Sequence, residues 1–146
     1  MRNSFYFNKE KIGLFCPGSF EFINHLISQL GYSQSNYDNE NVKESILKFL
    51  EFLFELDIIK IYSLEYGYKP NQGSLSKKEA LDYINLKWKK NYEYPDFYNL
   101  VLIGPQDWYI QKLEALGMTH TTNWKTFVEE QIGDLEQWIE LNKPID

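Results

Sequence analysis

Apolar residues cover most of the helical circumference in VKESILKFLEFLFELD, residues 42–57. Glu44, Lys48, Glu51 and Glu55 form a narrow polar stripe there, at i, i+4, i+7 and i+11. This pattern predicts a helix lying centrally with one edge in water, capped by Asn41. The β-branched run IIKIYSL, 58–64, follows directly and reads as a short strand, and EYGYKPNQG reads as a turn. In SLSKKEALDYINLKWKK, Ser76 and Glu79 have capping-box spacing. Ala80, Leu81, Ile84 and Trp88 then fall within an arc of about 100°, with Lys78, Asp82 and Lys89 opposite. Lys87, Lys89 and Lys90 crowd the last turn, where positive charge suits the helix dipole. The stretch predicts an amphipathic helix with Ile84 and Trp88 inward and its lysines on the surface.

The remaining segments follow the same logic. Residues 1–18 read as irregular or briefly extended, broken by Cys16-Pro17-Gly18. Ser19 is the expected cap of a helix through SFEFINHLISQL, ended by Gly31. The segment 32–41 is a polar linker, 91–99 a ring-rich loop, LVLIG (100–104) a buried strand, and QDWYIQKLEALG (106–117) either a helix ended by Gly117 or a helix whose first turn extends a strand instead. Asn123 or Thr122 would cap one long final helix through about Asn142, with Trp124, Val128, Ile132, Leu135 and Ile139 as its inward stripe. No internal repeat or composition shift divides the chain. The expectation is an α+β fold: one mostly helical domain over residues 1–146, with a small β-sheet or hairpin built from 58–64 and 100–104.

Composition narrows the function classes. The chain is 43% apolar and 17% aromatic, a globular balance rather than a disordered one. No apolar run approaches the roughly 18–20 residues that span a bilayer. The start, MRNSFYFNKEKIG, lacks the apolar core of a signal peptide, and a lone Cys16 fits a reducing compartment, so a cytoplasmic location is expected. Net charge is −6 and Arg2 is the only arginine, which argues against nucleic-acid binding.

Candidate chemistry is sparse. A small hydrolase would need Cys16 as nucleophile beside His25 or His120, and the Cys-Pro-Gly context matches no nucleophile signature. Two histidines 95 positions apart and one cysteine form no metal-ligand cluster, and neither GxGxxG nor GxxxxGK[ST] occurs. The expectation is a protein without catalytic residues, metal, cofactor or small-molecule substrate.

Two surfaces are candidates for a partner, beside the plainer readings of a solubilising flank for the first and core or edge packing for most rings of the second. On a continuous final helix Glu129, Glu136 and Glu140 would share one flank within about 40°, with Gly133 between them. From Thr126 to Asp146 there are six acids against one lysine, so −5 of the net −6 lies at this end. That flank fits docking of a basic partner, the glycine allowing close approach. The rings of the 92–109 region supply the second surface, with Tyr94, Phe97 and Trp108 as candidate anchors.

An apolar helix (ILKFLEFLFEL) running into a short strand (DIIKIYSL), then Ser76-x-x-Glu79, Ala80-Leu81-x-x-Ile84 and Trp88, forms an ordered pattern. Over about residues 44–98 it resembles small bacterial immunity proteins of contact-dependent growth inhibition and related polymorphic toxin systems. Lys89 stands where the family pattern carries a proline. The resemblance implies a cytoplasmic protein without catalytic residues that binds and neutralises a cognate toxin domain, often a nuclease. The alternative within the binding class is an adaptor or regulatory module for another basic protein.

Overall fold

The computed structural model describes residues 5–32, 39–69 and 71–145. The fold is α+β and mostly helical, with a two-stranded antiparallel sheet. Short 3-10 turns at Ile12–Phe15 and Pro17–Ser19 precede helices α1 (Ile23–Gln29) and α2 (Glu40–Glu55), then strand β1 (Ile59–Ser63) and helix α3 (Lys77–Lys87). A 3-10 helix (Tyr94–Asn99) leads into β2 (Val101–Pro105) and α4 (Asp107–Ala115). The C-terminal part is α5 (Trp124–Phe127), a π-helical turn (Val128–Ile132) and α6 (Leu135–Asn142).

Helix α2 is the centre of the core. Ile46, Phe49, Leu50 and Leu53 are fully buried, while Glu44, Lys48, Glu51 and Glu55 are exposed, as the polar stripe predicts. Its cap is Asn39 rather than Asn41, because the Asn39 side chain accepts from the backbone N–H groups of Asn41 and Val42. Starting there brings Glu40 into the first turn, where negative charge is favoured. The helix closes in a Schellman arrangement: Asp57 N–H donates to the Phe54 carbonyl and Ile58 N–H to the Leu53 carbonyl. Asp57 takes the left-handed position, φ 59°, usually given to glycine, and the chain enters β1 at once.

The strands pair from Ile59 with Pro105 to Ser63 with Val101. Ile59, Ile61, Val101 and Ile103 point into the core, and alternate residues point out. Both sheet edges are covered locally, by a bridge from Ile61 to Leu75 and by the Ile103 N–H donating to the Glu21 carbonyl at 2.7 Å. That bond accounts for a shifted boundary. Glu21 is held outside the helix, so α1 begins at Ile23 and Ser19 ends a 3-10 turn instead of capping a helix.

In α3 the capping box of Ser76 and Glu79 is formed on both sides, and Ala80, Ile84 and Trp88 are buried. The backbone and hydroxyl of Ser76 hold the Glu79 carboxyl below the usual carboxylate range. Lys43 of α2 donates to the carbonyls of Asn85 and Trp88 at 2.8 and 3.0 Å, satisfying the open end of α3. One hydrophobic cluster takes residues from every α-helix and both strands. The polar segment 33–38 of the expected linker lies outside the described residues.

The expected single helix from Asn123 to Asn142 does not form. Asn123 caps α5 through the Thr126 N–H, and the π-helical turn ends where Gly133 N–H donates to the Val128 carbonyl at 2.6 Å. Gly133 sits at φ 84° and ψ −93°, a conformation outside the helical region and open in practice to glycine alone. Asp134 then caps a new helix by accepting from the Gln137 N–H at 3.1 Å. The signal was present in the chain as a glycine followed by a capping residue, the usual end of one helix and start of another.

Candidate functional site

The break redistributes the acidic residues of the C-terminal end. Glu129 is exposed on the π-helical turn, Glu140 is exposed on α6 and pairs with Lys143 at 3.1 Å, and Glu136 is only 9% exposed. These three therefore do not form one flank of a continuous helix. The fold instead brings Glu129, Gly133 and Glu136 to the wall of a groove of about 640 Å³, together with Asp134. Glu140 is not among its lining residues.

The N-terminal segment supplies the facing side of this groove. Its apolar lining is Phe7 and Ile12 with Val128 and Leu135, and Lys9 and Lys125 also reach it. The segment is held by long-range contacts: the Phe7 ring stacks on Phe15 at 4.2 Å, and the Trp124 indole N–H donates to the Ile12 carbonyl at 2.8 Å. Asn8 shapes it locally by accepting from the backbone N–H groups of Glu10 and Lys11. Sequence spacing carried no sign that residues 7–12 meet residues 124–136, because helical periodicity reports one element at a time.

The three predicted ring anchors end in different places. Phe97 is fully buried between Trp88 and Tyr92, with ring centroids at 5.2 and 5.3 Å, and offers no surface to a partner. Trp108 is half-buried: its indole N–H donates to the Asp57 carbonyl, and its ring lies near Trp138. It braces the turn between α2 and β1. Tyr94 is at the surface, 37% exposed, with Tyr98 beside it and their hydroxyls hydrogen-bonded. The adjoining Tyr94 hydroxyl holds Tyr98 above the usual tyrosine range. Tyr98 belongs to the ring-rich surface read from the chain but was not chosen as an anchor, although its four-residue offset from Tyr94 in a turn opened by Pro95 is a visible cue.

The residues that would carry hydrolytic chemistry lie on three different segments. Cys16 is half-buried between the two 3-10 turns, His25 on α1 lies 3.7 Å from Glu21, which precedes that helix, and His120 is exposed in the loop after α4. Tyr109 is fully buried and donates its hydroxyl to the Phe15 carbonyl at 2.6 Å. Burial holds that phenol well above its usual range, and nearby Cys16 adds to the effect. Among the described residues, no cluster of three or more histidine, cysteine or acidic side chains could hold a metal ion. No helix among them is long and apolar enough to cross a membrane. No protein-family model, curated protein or solved structure matches the chain significantly.

Proposed function

We propose that this protein is an immunity protein that works in the cytoplasm, capturing and occluding a toxin domain made by its own cell. The observation that carries the reading is the surplus of negative charge at the C-terminal end, part of it beside an open groove. Six acids stand against one lysine from Thr126 onward, with Glu129, Glu130 and Glu140 exposed. The order α2, β1, α3 supports it, being the pattern that resembles immunity proteins. A basic partner, such as a nuclease with a positive substrate groove, would be steered to such a surface. An interface of about 1,600 Å² can reach nanomolar affinity, near −12 kcal/mol.

Co-expression with the C-terminal domain encoded immediately upstream in the same genome tests the reading directly, scoring growth rescue and co-elution. Rescue with a stable complex is expected. A neighbour that is not toxic, or is toxic and never captured, defeats the immunity reading. Reversing Glu129 and Glu140 to lysine should slow association about tenfold at low salt, with the difference closing at high salt. Glu136 is left intact because a lysine there would be buried. An association rate unmoved by the double reversal would reduce the patch to a solubilising one.

A further inference from the structure

We propose that the groove at the helix break receives an uncharged, apolar side chain protruding from the partner protein. This rests on the partner-binding reading of the C-terminal surface. At about 640 Å³ the groove lies within the roughly 300–1,000 Å³ typical of ligand sites. Its lining is graded. Val128 and Leu135 are buried and Phe7 and Ile12 half-buried, whereas Lys9, Lys125 and Glu129 are exposed. Hydrocarbon lies deep and charge lies at the lip. That is the anatomy of a contact whose dry centre carries the affinity and whose charged rim stays wet. No heavy atom lies within 4 Å of where a Cβ on Gly133 would stand, so the wall is open at that point.

Charge selects against the other occupants. The exposed lip sets two ammonium groups against one carboxylate, so a cationic head gains no net attraction there. An anionic head would have to approach through the surplus of acid at this end of the chain. The deeper carboxylates call for no donor from outside. Asp134 accepts the Gln137 N–H as the cap of α6, and Glu136 is buried and already engaged within the chain. Covering the groove with hydrocarbon therefore strips no unpaired charge of water. What stands uncovered is the apolar lining, and its burial is the gain that a partner's apolar side chain obtains.

The test is amide NMR on the full chain, titrated with acetyl-Gly-Gly-Phe-Gly-Gly-amide and with the same peptide carrying alanine, lysine or glutamate in place of the phenylalanine. Saturable shifts at Ile12, Val128, Gly133 and Leu135 are expected with the phenylalanine peptide, and binding at least about tenfold weaker with each of the other three. Ile12→Ala trims the half-buried lining and should weaken the phenylalanine peptide severalfold, while the Ile12 carbonyl that holds Trp124 is retained. An alanine peptide as tight as the phenylalanine one would show a contact with peptide backbone alone and overturn the proposal. A lysine or glutamate peptide as tight would show selection by charge and overturn it too. So would the absence of groove shifts at about ten millimolar peptide. Groove shifts that grow with protein concentration alone would make a second copy of the chain the occupant, again overturning it. Growth rescue without groove shifts would remove the apolar anchor and leave the immunity reading. Groove shifts in a chain that rescues no neighbour would do the reverse.

Discussion

Helix α2 and the run from Trp124 to Asn142 carry the same signature, an apolar stripe beside a line of glutamates, yet only α2 is one continuous helix. Between Glu40 and Glu55 there is no glycine, and neither Asn41 nor Ser45 starts a new helix, so the helical phase runs unbroken and its acids stay on one wet edge. In the C-terminal run Gly133 and Asp134 stop one helix and start another. The phase is reset there. Glu129 stays outside, Glu136 turns under, and the space between the two pieces and the N-terminal segment becomes a groove. Periodicity predicts a shared face only while the helix lasts. One residue at φ 84° is enough to undo it.

Three substitutions probe this contrast, in order of expected effect. Phe49→Ala in the continuous helix removes a fully buried ring and should cost about 3–5 kcal/mol, read as a large fall in the urea midpoint. A loss under about 1 kcal/mol would mean that α2 is not the centre of the core. Gly133→Ala should cost about 1–3 kcal/mol, a purely conformational penalty because the added methyl meets nothing within 4 Å. A raised midpoint with stronger helical circular dichroism would instead show that the two pieces fuse into the continuous helix that periodicity predicts. Asp134→Ala, which removes the restart cap, should cost about 1 kcal/mol. No loss of stability would leave Gly133 as the sole cause of the break.

The parts of the fold legible in the chain are those decided within one element. The Ser76–Glu79 capping box, the inward Ile84 and Trp88, and the wet edge of α2 all follow from offsets of three and four residues. Both strands lie within one residue of their expected starts, since short β-branched runs bounded by turn residues have few alternatives. The candidate site was legible only in part. Glu129, Gly133 and Glu136 were marked by composition and spacing, and they do share a groove, but for a reason other than a common helix face. Phe97 and Trp108 were marked by ring content, which does not distinguish a ring that anchors a partner from one that fills a core.

By itself the sequence determined the helical and extended segments, the acidic character of the C-terminal end and the single central helix. These depend on the order of neighbouring side chains and on local hydrogen bonds. Tertiary structure alone decided that Glu21 leaves its helix to cover β2, that Phe7 and Ile12 face Val128 and Leu135, and that Glu136 is buried while Glu129 is not. Each of those outcomes depends on contacts between distant residues, and local propensity yields wherever packing of the shared core is worth more.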